Sequence, residues 1–163
     1  MAAVKLILAG EEVHLLGERA ACWTAHKWLV VADLHWGKAE TFQRFGLPVP
    51  STVLTKDLTR LAKLCLETKP KKILVLGDLV HSRVGVTSAV VEEVAAFFAL
   101  TGVEMILVRG NHDRAFQVPA SWPIEVIDGW LDEGPFRFTH EGAEATDRFL
   151  WEGHLHPLVD FRG

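Results

Sequence analysis

No apolar stretch in this sequence reaches the roughly 18 residues that a membrane-spanning helix needs. Cysteine is scarce: Cys22 and Cys65 are the only two, and neither belongs to a ligand-spaced cluster. A disulfide framework or thiolate metal site therefore has little to build on, and both residues read as buried small apolar groups in a reducing compartment. A basic excess is also missing. The formal net charge of -4 argues against tight, sequence-independent nucleic-acid binding through bulk charge, while leaving a local basic patch open. The first ten residues make a poor secretion signal, because Lys5 interrupts the apolar run and Glu11-Glu12 follow it. Internal repeats, low-complexity tracts and linkers are lacking. The expectation is a cytoplasmic protein with one domain over residues 1–163, since 163 residues at 49% hydrophobic content can build one full core and hardly two.

What is present is a series of short apolar runs with distinct endings. Residues 4–9, 13–16 and 20–24 are strand-like and separated by Gly10-Glu11-Glu12 and Gly17-Glu18-Arg19, which read as turns. Residues 28–32, 73–76 and 105–108 are continuous and β-branched, as strands buried on both faces are. Helical spacing is predicted over residues 39–45, from Ser51 as N-cap onward, and over 87–100 with Gly102 as the stop. This β-α-β alternation implies parallel strands with right-handed crossovers. Strand patterns return at 124–127, 130–132, 136–139 and 149–152.

Five of these runs end in the same kind of chemistry: Asp33 and His35, Asp78 and His81, Asn111-His112-Asp113, His140, and His154 with His156. Six of the eight histidines lie in these loops, at strand ends where α/β sheets collect their ligands. Alternation along an extended segment would place Asp33 and His35 on one face, within reach of one ion. Asp78, where Gly77 allows a sharp turn, is the candidate for touching two ions.

In order, the motifs are DLH, GDLVH, GNHD, TH and GHLH, a set that resembles the calcineurin-like metallophosphoesterase superfamily. The resemblance implies an α/β fold, a four-layer α/β/β/α sandwich of two mixed sheets, with further strands beyond Gly163. It implies Asp33, His35 and His156 on one metal, Asn111, His140 and His154 on another, and Asp78 between them. Aspartate, asparagine and imidazole without thiolate favour Mn²⁺, Fe or Zn²⁺ over a thiolate-type structural zinc site, and the resemblance makes Mn²⁺ the first expectation. Two ions about 3.5–4 Å apart need a shared anionic ligand and can clamp an in-line displacement, with a bridging hydroxide as the attacking group. His112 takes the family role of contacting the phosphoryl group and protonating the leaving oxygen, with His81 and Asp113 in support. A histidine at position 81, where phosphoprotein phosphatases carry aspartate, resembles the nuclease subunit of the double-strand-break repair complex and tilts the substrate towards phosphodiesters.

A narrower likeness lies in residues 32–38 and 45–50, His81-Ser82-Arg83 and His140-Glu141. It is to the ligase-associated DNA damage response endonucleases, the PdeM-like bacterial phosphoesterases. That implies a Mn²⁺-dependent phosphodiesterase or nuclease working alongside a DNA ligase and a helicase. Trp36 departs from the family, standing where a smaller aliphatic residue is expected, at the rim of the pocket. Lys38, Arg83, Arg109 and Arg114 border the motifs as candidates for holding phosphate. Trp36, Trp122, Trp130 and Trp151 read mainly as core, with base stacking as the other option. His14 and His26 match no motif. The leading expectation is a DNA-directed metal-dependent phosphodiesterase. A small-molecule or cyclic-nucleotide phosphodiesterase or phosphatase comes second, and a non-catalytic scaffold third.

Overall fold

The computed structural model describes residues 3–142 and 146–155. Four strands open the chain: β1 (Ala3–Leu8), β2 (Glu11–Leu16), β3 (Ala20–Trp23) and β4 (Trp28–Val31). Each pairs antiparallel with the next, through turns that carry left-handed backbone at Ala9, Arg19 and Lys27. From β4 onward the pairing is parallel, with β5 (Lys72–Leu76), β6 (Glu104–Val108) and β7 (Ile124–Ile127) added in sequence order. Parallel neighbours need long crossovers. Helices α1 (Lys38–Arg44) and α2 (Thr52–Thr68) supply the first, and α3 (Ser88–Thr101) the second.

A smaller sheet holds β8 (Trp130–Glu133), β9 (Phe136–Thr139) and β10 (Phe149–Glu152), antiparallel between β8 and β9 and parallel between β9 and β10. Both sheets are therefore mixed, as the motif pattern implies. On one face of the larger sheet, Leu54, Leu58, Leu61 and Leu64 of α2 and Val90, Val94, Phe97 and Phe98 of α3 cover Leu29, Ile73, Val75 and Leu107. On the other face, Val30, Leu74, Leu76, Ile106 and Val108 meet Phe136 and Phe138 of β9. The central strands are thus buried on both sides, which explains their continuous apolar runs. Each such side chain contributes about 1.5–3 kcal/mol relative to exposure, so the strand ends form a stiff platform for their loops. Among the described residues the layers run helix, sheet, sheet, and no helix is long and apolar enough to cross a membrane.

Local signals hold with two exceptions. Thr87 caps α3, its hydroxyl accepting from the Val90 amide, and Gly102 closes the helix in left-handed geometry. Ser51 makes no side-chain cap on α2; its hydroxyl accepts from Gln43 Nε2 at 2.9 Å instead. Trp36 is not at a pocket rim. It is 1% exposed, edge-on to Trp122 at 5.9 Å, and its indole N–H donates to Asp57 at 3.0 Å. Its backbone is strapped to Leu79 and His81, which commits the ring to the helical side of the core. Cys22 and Cys65 are free thiols, and burial pushes Cys65 up to about 11.

Candidate metal centre

The donors gather just past the C-terminal ends of β4, β5, β6, β9 and β10. Asp33, His35, Asp78 and His154 all have left-handed backbone, with φ of 52°, 50°, 52° and 58°. Among the described residues, the remaining non-glycine residues of this kind, Ala9, Arg19, Lys27 and Lys69, lie in turns or at a helix end. Such conformations cost of order 1–3 kcal/mol each and persist where the surroundings over-determine them. Here the surroundings are backbone hydrogen bonds, from the Asp33 amide to the Gly77 carbonyl at 3.1 Å and from the His35 amide to the Asp78 carbonyl at 2.9 Å. Asp33 and His35 therefore do not alternate along an extended strand. They reach Asp78 because both residues curl back over the β5 loop.

Asp78 is 2% exposed and sits at the middle. Its Oδ1 lies 3.4 Å from His140 Nε2 and accepts from the His112 amide at 3.0 Å. Its Oδ2 faces the other way, 3.9 Å from His35 Nε2. Asp78 accordingly belongs to two donor groups, one with Asp33 and His35 and one with His140 and His154, each with ligand atoms within 4.8 Å of one another. The amide of His154 donates to the Asp33 carboxylate at 3.2 Å, tying the last loop to the first.

His140 shows why these residues fit a cation. Its Nδ1 donates to the Leu76 carbonyl at 3.0 Å, which makes Nε2 the ring atom available as a ligand. That nitrogen faces Asn111 Oδ1 at 2.9 Å as well as Asp78 Oδ1 at 3.4 Å. Three potential ligand atoms converge there, and Asp78, Asn111 and His140 would together hold a divalent ion. Burial pushes the His35 and His81 imidazoles below their ordinary range, the Asp78 charge only partly opposing it. Neutral imidazole is the form that binds metal.

The other sequence candidates fall into three sets. His112 is exposed, with Nδ1 on the His81 carbonyl at 2.7 Å and its ring stacked on His81 at 5.3 Å; His35, His81 and His112 form a third cluster of ring nitrogens. Asp113 is fully buried, its two oxygens accepting from the amides of Val80 at 3.1 Å and Gly110 at 2.9 Å. Burial pushes its carboxyl up, the amide hydrogen bonds offsetting part of this, and it acts on the site by fixing two loops. Lys38, Arg83 and Arg114 are exposed. Arg114 shares a cleft of about 290 Å³ with Asn111 and His140, and Arg83 borders one of about 510 Å³ beside Phe116. Arg109 is occupied by Asp128 and by the carbonyls of Asp113 and Phe116. His156 lies outside the described residues.

Two contributors had no assigned role in the sequence reading. The Leu76 carbonyl orients His140, and a backbone acceptor has no residue-type signature. Glu141, 3.6 Å from His154 Nε2, was visible only as the residue after the lone histidine. Gly110 matters through size. A methyl group there would overlap the amide nitrogen and Oδ1 of Asp78. Gly110→Ala should fold, because the clash is confined to the loop, but bind Mn²⁺ at least about tenfold more weakly, as displaced supporting groups do. Isothermal titration checks this; unchanged affinity would show that Asp78 has room to shift.

The calcineurin-like phosphoesterase family model matches residues 26–157. Among solved structures, the chain is similar to the nuclease MPE of Pseudomonas putida, with a TM-score of 0.83 and 31% identity, over 96% of this chain and 74% of that one. No curated protein gives a significant match.

Proposed function

Because the chain belongs to the calcineurin-like phosphoesterase family and is a metal-dependent hydrolase, we propose that it cleaves phosphodiester bonds in nucleic acid at a two-cation centre built on Asp78. The observation that carries this reading is the pair of Asp78 oxygens facing different donor groups, with an exposed histidine beside them. The similarity to a nuclease over 96% of the chain supports the substrate class. In this reading Asp33, His35 and His156 hold one ion, Asn111, His140 and His154 the other, and Mn²⁺ is the metal. Divalent cations held there supply Lewis acidity towards phosphoryl oxygens and lower the pKa of water at the site.

The chain's own groups do the rest. The His81 carbonyl accepts a hydrogen bond from Nδ1–H of His112 and so turns Nε2 towards the phosphoryl group. As the imidazolium, with a proton on each nitrogen, His112 passes its Nε2 proton to the leaving oxygen and becomes the neutral Nδ1–H ring, a transfer worth about 10²–10⁴-fold when the donor is well placed. The amide of His112 on Asp78 holds this ring in register with the centre. Asp113 keeps the loop from flexing. Lys38, Arg83 and Arg114 offer positive charge at three points of the rim for flanking phosphates. The proposal extends to a cytoplasmic role in DNA repair alongside a ligase and a helicase, a setting consistent with two unpaired cysteines.

The test is hydrolysis of bis-p-nitrophenyl phosphate and of single- and double-stranded oligonucleotides by the full chain with Mn²⁺. Turnover of both kinds of substrate, abolished by a chelator, is expected. Absence of turnover with every divalent ion would defeat the reading. Activity on the model diester alone would favour a small-molecule diester, which the net charge of -4 already suits better than a polyanion.

A further inference from the structure

Beside the two donor groups that share Asp78, the strand-end loops bring together a third set made of imidazole alone. His35, His81 and His112 offer one ring nitrogen each, and these atoms lie within 4.8 Å of one another. They come from the loops after β4, β5 and β6, so the fold, and not nearness in sequence, groups them. The His35 ring stands edge-on to His112 at 5.1 Å and to His81 at 5.5 Å. His112 spends Nδ1 on the His81 carbonyl, which makes Nε2 its ligand atom. His81 Nδ1 is buried without a hydrogen-bond partner, a state that costs about 1–3 kcal/mol. Phe42 lies 5.3 Å from the His81 ring and limits its swing.

Donor chemistry says which ion fits. Imidazole suits Zn²⁺, Cu²⁺ and Ni²⁺, whereas Mn²⁺ favours carboxylate and carbonyl oxygen. Three imidazoles with a fourth position open to water are an established coordination for Zn²⁺. Burial favours the neutral form of His35 and His81 that a metal takes. Lys38 opposes a cation here, and the Asp78 carboxylate, 3.9 Å from His35 Nε2, attracts one. With three neutral donors and no carboxylate of its own, this set binds more weakly than the centre on Asp78 and empties during purification.

We propose that His35, His81 and His112 form an inhibitory site for Zn²⁺, where one ion withdraws a ligand of the working centre and its proton donor together. The Nε2 atom that passes a proton to the leaving oxygen is the atom that takes the ion. The inhibition rests on the phosphodiesterase reading above, whereas the binding stands on the three rings alone.

Isothermal titration of Zn²⁺ into the chelator-treated full chain tests the binding without turnover. Asp78→Asn, deprived of the centre that Asp78 anchors, should still take up one Zn²⁺ per chain. Adding His81→Asn to it should weaken that uptake at least about tenfold, with little change in melting temperature. His112→Gln in the same background should do likewise, and its exposed position leaves the packing untouched. In bis-p-nitrophenyl phosphate hydrolysis at saturating Mn²⁺, Zn²⁺ should stop the parent. His81→Asn, measured against its own zinc-free rate, should need at least about tenfold more Zn²⁺ for half inhibition. No uptake by Asp78→Asn, or an affinity that both histidine replacements leave unchanged, overturns the site. So does equal inhibition of parent and His81→Asn accompanied by release of Mn²⁺, which would put the zinc on Asp78 instead. A parent that never hydrolyses the diester defeats the reading beneath, and the titration still decides the site.

Discussion

Asp78→Asn should lose both cations and drop diester hydrolysis by at least about a thousandfold. The substitution keeps the shape of the side chain and an Oδ1 able to accept the His112 amide now held at 3.0 Å. What it removes is the negative charge between two groups of donors. Asn111 Oδ1 and His140 Nε2, 2.9 Å apart, are donors without negative charge, so without the Asp78 carboxylate neither group has enough attraction to concentrate a divalent ion. Elemental analysis of the purified variant should find well under one ion per chain, against two in the parent. Two ions retained would show that Asp78 is not shared. One ion retained would show that one of the groups assembles alone.

His112→Ala should behave differently. The cations stay, because none of the proposed ligands is touched, while turnover falls about 10²–10⁴-fold on oligonucleotides, the range for loss of a positioned acid. The loss should be much smaller on bis-p-nitrophenyl phosphate, whose nitrophenolate departs without a proton. A comparison of kcat across esters of graded leaving-group acidity reads this directly. A uniform loss would mean that His112 positions the phosphoryl group rather than protonating its departing oxygen. The ring has little freedom to do otherwise, being pinned by its Nδ1 to the His81 carbonyl and by its amide to Asp78.

The placement of these loops was legible because strands buried on both faces have to be continuously apolar. A metal-ligand type of side chain within three residues of the end of such a run, as at Asp33, Asp78 or Asn111, therefore marks where the sheet stops. The helices were legible from the spacing of Leu54, Leu58 and Leu61 on α2 and from the Thr87 cap and Gly102 stop of α3. What the sequence concealed depends on partners distant in the chain. Asp33 and His35 looked like alternate residues of an extended segment, but their backbones answer to carbonyls at 77 and 78. Trp36 read mainly as core, and it is core, but the partners that hold it there, Trp122 and Asp57, had no signal in the sequence. Ser51 had the residue type of a cap and was taken by Gln43 instead. Asp113 sat within a motif, and only coordinates reveal that it holds the amides of Val80 and Gly110.

The left-handed backbone shared by Asp33, His35, Asp78 and His154 bears on how this centre can change. Aspartate, asparagine and histidine are among the few residues with a side chain that settle into that region readily, while β-branched ones resist it. Chain geometry and coordination chemistry thus draw on one short menu. Drift at these four positions is confined to swaps within it, and an alanine scan there mixes two penalties that an Asp-to-Asn exchange keeps apart.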